Sequence, residues 1–231
     1  MRNRGKFSGF KPQCKGIIID TKGLSDDFAI NSKILYHKKR YGRIDRMKTR
    51  LIETPLKDLI VIEIDYFQDE RGFLIESWHK RDFQKAGLDL TFVQEVHSRS
   101  KYKVLRGLHF QNMEAPVTKL IRCIYGKAFC VAVDLQIKSP TFGKWFTIEL
   151  SAENKKQLFV PVGFAFGFAV LSDTAELLYK FTGFYTPLSE KILLWNDKNL
   201  AITWPFNDPI LSTRDRGGMT FAEYQKNPAF V

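Results

Sequence analysis

Cysteine and histidine are scarce in this chain, with three of the first and four of the second among 231 residues. An odd cysteine count without paired spacing argues against a disulfide scaffold. Cys123 and Cys130 stand seven apart in strand-like runs and lack the spacing of a zinc site. Long apolar runs are missing as well. Runs such as Ile17–Ile19, Leu158–Val162 and Phe164–Phe166 fall far short of the roughly 20 residues that span a bilayer. The basic start is not followed by the apolar stretch of a signal peptide. These absences lead to the expectation of a cytoplasmic protein with no membrane attachment. Phosphate-cradling GxGxxG and P-loop motifs do not occur, nor does a GxSxG nucleophile elbow. Strands do not alternate with helices either, so a doubly wound dinucleotide-binding fold is excluded.

Charge is present but unevenly placed. The formal net charge is +11, yet residues 1–46 hold twelve Lys/Arg against four Asp/Glu, a net +8. The remaining 185 residues carry only +3. A near-neutral body does not bind polyanions in general, and no nucleic-acid partner is expected. Residues 1–46 lack sustained periodicity. They read as a basic N-terminal extension, either poorly ordered or upstream of a true start at Met47. Residues 47–231 read as a single domain, with no linker or internal repeat.

Within that body the hydrophobic period is two. Val131, Val133 and Leu135 alternate with Ala132 and Asp134, and Phe146, Ile148 and Leu150 alternate with Thr147 and Glu149. Strand-type runs recur about every ten residues: 59–64, 73–75, 90–96, 104–110, 119–124, 128–135, 145–150, 157–162, 164–171, 176–181 and 192–195. Only His79–Leu88 reads as a helix of any length. Thr220 and Glu223 have the spacing of a capping box for a last short one. The fold class is therefore all-β, an antiparallel sandwich or barrel with a few short helices.

Of the four histidines, His37 lies in the basic extension and His79 among surface charges. His97 and His109 lie on strand-like segments. Strict alternation over Val104–Gln111 puts Arg106, Leu108 and Phe110 on one face and Leu105, Gly107, His109 and Gln111 on the other. Gly107 leaves open space beside the His109 imidazole. A metal-binding cupin barrel would pair two histidines as His-x-His with a nearby carboxylate, but position 111 is Gln and no histidine follows. No metal site is expected. On pattern alone Tyr179 and Tyr185 read as core or rim aromatics, Arg214 and Asp215 as a turn pair, Arg71 as part of a hairpin loop, and Lys119 and Glu190 as surface charges.

A set of motifs in fixed order changes that reading. It runs Asp69-Glu70-Arg71-Gly72-Phe73 with Glu76, then Phe92-Val93-Gln94, Ser98-Arg99-Ser100, Val104–Gln111, Ser139–Trp145 and Val160–Ala165. It continues through Leu178-Tyr179-Lys180, Tyr185-Thr186-Pro187, Trp195-Asn196-Asp197, Ile202–Pro205 and Leu211–Asp215. In these stretches, over about residues 48–224, the chain resembles the dTDP-4-dehydrorhamnose 3,5-epimerases, metal-free members of the cupin superfamily. The resemblance implies a jelly-roll homodimer that needs no cofactor and inverts C3 and C5 of a dTDP-linked 4-keto-6-deoxy sugar. A proton beside a ketone is acidic enough for a side-chain base, and inversion needs a base on one face and an acid on the other.

By that resemblance His109 is the base, Asp215 the carboxylate that orients its imidazole, and Tyr179 the donor on the opposite face. Lys119 and Arg106 are the cations placed for the enolate and the neighbouring diphosphate. Arg71 and Arg214 bind substrate, since a guanidinium fork suits a diphosphate. Glu76, Gln94 and Glu190 make polar contacts to nucleotide or sugar, and Tyr185 stacks on thymine. Two positions depart from the family pattern. Gly163-Phe164-Ala165 normally continues His-Gly-Phe, and here it continues Phe166-Gly167-Phe168. Gln-x-Asn is common in the family, and here it is Gln94-Glu95-Val96. A sibling epimerase that inverts one centre, or uses another nucleotide-linked keto sugar, therefore stays in view. A non-catalytic sugar-nucleotide-binding jelly roll would fit a chain lacking His109, Tyr179 or Asp215, and all three are present.

Overall fold

The period-two segments assemble into two facing antiparallel sheets. The computed structural model describes residues 48–231, all within one compact unit, and the expectation for residues 1–46 lies outside the described residues. In chain order the strands are β1 (Thr49–Glu53), β2 (Ile60–Ile64), β3 (Phe67–Asp69), β4 (Gly72–Leu74), β5 (Gln94–Lys101), β6 (Leu105–Gln111) and β7 (Lys119–Tyr125). They continue with β8 (Lys127–Asp134), β9 (Trp145–Ser151), β10 (Gln157–Val160), β11 (Phe164–Val170), β12 (Thr174–Phe181) and β13 (Glu190–Ile192). Three short helices lie among the described residues: α1 (Lys80–Lys85), α2 (Thr213–Arg216) and α3 (Phe221–Lys226). None is long and apolar enough to cross a membrane.

One sheet has the order β1-β2-β10-β7-β12-β5, the other β13-β6-β11-β8-β9, and β3-β4 forms a separate hairpin. This is the antiparallel jelly-roll sandwich expected from the pattern and the resemblance. Alternation along β8 shows why. Ala128, Cys130 and Ala132 point between the sheets, where they meet Val61, Ile121, Leu158 and Leu177 of the facing sheet. Val131 and Val133 point the other way, onto Leu193, Trp204, Phe221 and Tyr224 of the C-terminal segment. A third apolar cluster covers the outer face of the six-stranded sheet, where Phe83 of α1 and Leu88 pack on Ile62, Ile64 and Leu120. Each fully buried Leu or Phe contributes about 1.5–3 kcal/mol relative to exposure.

Several quoted motifs turn out to hold the fold. The fully buried Asp134 carboxylate accepts bonds from Gln136 N at 2.9 Å, Thr141 Oγ1 at 2.7 Å and the Ser139 hydroxyl, which shapes the Ser139–Trp145 stretch. Asp197 accepts from the backbone N–H of Asn199, Leu200 and Phe221, tying α3 to the preceding loop. The capping box expected at Thr220 and Glu223 is present.

Three expected elements shift. The strand expected over 192–195 is observed as β13, Glu190–Ile192. The helix is shorter than His79–Leu88, with His79 as its N-cap and Leu88 beyond its end. The strand expected over Leu90–Val96 begins only at Gln94. Leu90 and Phe92 leave the sheet to pack in the third cluster, Phe92 edge-on to Trp78 at 4.6 Å. The polar run that follows is a strand because β12 pairs with it along its whole length.

Candidate active site

The site forms where β6 and β11 lose their regular register. Phe166 pairs with His109, but Phe168 pairs with Arg106, so three residues on β6 span two on β11. This bulge overturns the strict alternation expected for Val104–Gln111. Arg106 and His109 both line the cleft between the sheets, while Leu105, Leu108 and Phe110 share the outer cluster. The bulge depends on glycine. Gly107 has φ +117°, and a Cβ there would sit 2.6 Å from the Gly167 Cα.

The cleft encloses about 220 Å³ and is bounded by Arg106, His109, Lys119, Tyr179, Tyr185 and Glu190. Phe166, Phe168, Phe181, Val96 and Val117 supply an apolar lining. A larger hollow of about 570 Å³ beside Lys57, Gln136 and Phe230 brings no histidine or tyrosine together.

His109 and Asp215 are joined by a 2.5 Å contact between Nε2 and Oδ1. The second Asp215 oxygen accepts from Ser212 Oγ at 2.7 Å, and Ser212 in turn caps α2 by accepting from Asp215 N. Asp215 is buried, which opposes its charged form. The bonds from His109 and Ser212 outweigh that cost and hold its carboxyl below the usual carboxylate range. An ionised carboxylate on one ring nitrogen fixes the imidazole and leaves the other nitrogen to exchange a proton.

Tyr179 comes from the opposite sheet, on β12. Its ring is partly open to the cleft and lies near Phe166, Phe168 and Phe181, with centroids 6.3–6.5 Å apart. Its hydroxyl meets Ser98 Oγ at 3.1 Å. Burial pushes the phenol well above its usual pKa, so it keeps its proton. Lys119, at the start of β7, is buried and donates from Nζ to the His109 carbonyl at 3.0 Å. Burial lowers its pKa to about 8, against the opposing pull of Glu190.

A second group of side chains sits at the mouth. Tyr185 Oη donates to Glu190 Oε2 at 3.0 Å, and Arg214 pairs with the same carboxylate. Gln94 accepts from Tyr185 N at 2.8 Å, and the Arg106 Nε donates to Ser100 Oγ at 3.0 Å.

A family model described as dTDP-4-dehydrorhamnose 3,5-epimerase matches residues 53–223. Over 167 residues the chain is 51% identical to the dTDP-4-dehydrorhamnose 3,5-epimerase of Salmonella typhimurium, covering 71% of this chain and 91% of that one. The chain belongs to the dTDP-4-dehydrorhamnose 3,5-epimerase family. Solved structures agree. The enzyme of that name from Elizabethkingia anophelis is similar with a TM-score of 0.72 and 45% identity, over 76% of this chain and 97% of that one. The dTDP-6-deoxy-D-glucose-3,5-epimerase of Legionella pneumophila, solved in complex with dTDP-4-keto-L-rhamnose, gives 0.71 and 42%, over 74% and 92%.

Nine of the eleven residues singled out from the sequence thus come together in this epimerase-family cleft, its wall or its rim. Arg71 and Glu76 do not line it. Arg71 sits in the β3–β4 turn, bonded to Asp69 with its side chain 78% exposed, because a two-residue turn carries it away from the sandwich. Glu76 lies between that hairpin and α1, beside His79 and Asp82. Sequence reasoning assigned nothing to Ser98 or to Gln111. Gln111 donates to the carbonyls of Ala115 and Phe184 and accepts from Thr186 N, so it braces the Tyr185 loop. Its shared face with His109 was the available signal.

Proposed function

We propose that this protein inverts C3 and C5 of dTDP-4-dehydro-6-deoxy-D-glucose to give dTDP-4-dehydro-L-rhamnose. The observation that carries this reading is that the two proton-handling groups come from opposite sheets. His109 on β6, backed by Asp215, faces one side of a ring held in the cleft, and Tyr179 on β12 faces the other. His109 takes the proton from the carbon beside the ketone. The negative charge spreads onto the ketone oxygen, where the Lys119 ammonium and Arg106 stabilise it. Tyr179 returns a proton to the opposite face. Tyr185, Arg214, Glu190 and Gln94 hold the nucleotide at the mouth, with Tyr185 under the thymine.

The protein acts as a cytoplasmic homodimer in this reading. The exposed Phe73 and Leu74 of the β3–β4 hairpin dock on a second copy, and Arg71 and Glu76 contact substrate in that copy's cleft. Residues 47–231 carry the activity. A chain starting at Met47 is expected to turn over within twofold of the full chain, and a loss of tenfold or more in turnover would assign residues 1–46 a part in it.

Proton NMR of the keto sugar with enzyme in deuterium oxide tests the reading. Deuterium entering both C3 and C5 with inversion is the expected result. Incorporation at one centre would support the sibling epimerase, which the apolar Phe166 and Val96 in the cleft favour. No incorporation would overturn both.

A further inference from the structure

β5 carries hydroxyls where a sandwich interior calls for apolar side chains. His97 and Arg99 point outward and pair with Glu176 at 2.9 Å and 3.5 Å. The alternate positions Val96, Ser98 and Ser100 face inward. Ser100 is occupied by Arg106. Ser98 lines the cleft and bonds the Tyr179 hydroxyl, whose only hydrogen-bond partner among the described residues it is. β5 and β12 fix this contact, pairing Ser98 with Leu177 and Val96 with Tyr179 across the ladder.

Building on the donor role read for Tyr179, we propose that Ser98 is its positioning residue: it aims the phenol, bonds the phenolate that donation leaves behind, and returns its proton. The chemistry calls for such a group. When Tyr179 protonates the carbon, its O–H bond breaks, a C–H bond forms and a phenolate is left among Phe166, Phe168 and Phe181. A phenolate there needs a hydrogen-bond donor. A hydroxyl serves both stages, because it accepts from the phenol and donates to the phenolate. A second inversion on the same sugar also requires Tyr179 to be reprotonated while substrate fills the cleft and keeps water from the phenol. Ser98 passes its hydroxyl proton to the phenolate and takes one from a water at the mouth. The proton that His109 removed from the sugar neutralises the hydroxide so formed, and no proton is consumed overall.

The test compares Ser98→Ala, Ser98→Thr, Tyr179→Phe and the Ser98→Ala/Tyr179→Phe double variant, each checked for an unchanged unfolding midpoint. The readouts are turnover, KM, deuterium entry and the identity of the released sugar. Ser98→Ala is expected to lose about 10- to 100-fold in kcat, the range for a hydrogen bond to a charged group, with KM within twofold. Deuterium entry through His109 is retained, singly inverted sugar accumulates, and Ser98→Thr recovers to within about fivefold. The double variant is no worse than Tyr179→Phe alone, since Ser98 acts only through the phenol. Turnover by Ser98→Ala within twofold of the native rate would overturn the proposal. So would losses that multiply in the double variant, or exchange lost in step with turnover. If Ser98→Ala fails to fold, Ser98→Thr and Ser98→Cys carry the same comparison, and a cysteine variant as fast as the native protein would overturn it too. Full inversion by Tyr179→Phe would instead show that the donor assignment itself is wrong.

Discussion

The floor of the cleft and its rim use similar side chains but hold them differently. On the floor, His109, Tyr179 and Lys119 project from strands of both sheets, and Asp215 is braced by a helix cap. Each has a bond to a group that cannot move far, and burial shifts the pKa of Tyr179 and Lys119. At the rim, Gln94, Tyr185, Glu190 and Arg214 bond mainly to one another, and the Arg214 side chain is 61% exposed. A reacting centre gains from groups fixed before the charge develops. A binding rim gains from groups that can exchange partners, as Arg214 does if it leaves Glu190 for a phosphate. The difference separates what sets turnover from what sets affinity.

The largest effects are expected on the floor and should differ in kind. His109→Ala removes the base, so both turnover and deuterium entry are lost, by the 10²–10⁴-fold that general acid–base groups contribute. Tyr179→Phe removes only the donor. Net inversion falls by a similar factor, but His109 still abstracts a proton and can return it to the same face, so exchange persists. Equal residual exchange in the two variants would reverse or merge the roles.

A pH profile tests the next member of the floor. Lys119 is a cation only below its lowered pKa of about 8, so enolate stabilisation is complete below that value and is lost as the pH rises through it. The descending limb of kcat is expected near pH 8, well below the range of an ordinary lysine. Tyr179 does not produce it, because burial keeps the phenol protonated to higher pH. Asp215 stays ionised throughout, because its bonds from His109 and Ser212 hold its carboxyl low. Lys119→Met should lower kcat by about 10²-fold and abolish the limb. A limb that survives the substitution would belong to another group.

The same contrast explains what could be read from the chain beforehand. The sandwich was legible because alternation along β8 and β9 matches two differently lined faces, and alternation survives without knowledge of strand order. The floor residues were legible through the ordered motifs, although those motifs also carry architecture: Ser139 and Asp197 bond within and between loops. The face of Arg106 was not legible. Its side chain reaches the cleft only through a bulge set by Gly107 against Gly167, a property of the partner strand. β5 was misjudged because its apolar neighbours Leu90 and Phe92 belong to a different cluster from its strand.

At the rim the expected losses are smaller and fall on affinity. Arg214→Gln removes the proposed phosphate ligand and leaves Glu190 without the guanidinium that pairs with it. KM is expected to rise about tenfold, equivalent to 1.4 kcal/mol, with kcat within twofold, the pattern of an interaction equal in ground and transition states. A fall in kcat at constant KM would move Arg214 to the floor, acting through its neighbour Asp215.

The smallest effect separates the ring of Tyr185 from its hydroxyl. The hydroxyl donates to Glu190 at 3.0 Å and accepts from Arg214 at 3.5 Å, so it belongs to a network that already has an ion pair at its centre. The ring has no such substitute, since stacking on a base needs a flat apolar face. Tyr185→Phe should therefore raise KM by no more than about threefold, near the low end of the roughly 0.5–1.5 kcal/mol of a hydrogen bond, because the Arg214–Glu190 pair remains. Tyr185→Ala should raise it about fivefold more than Tyr185→Phe does, the low end of the roughly 1–3 kcal/mol per stacked base. Neither should change kcat more than twofold. Equal effects from the two variants would mean that Tyr185 serves the rim as a spacer for Glu190 and Arg214, and that the thymine rests elsewhere.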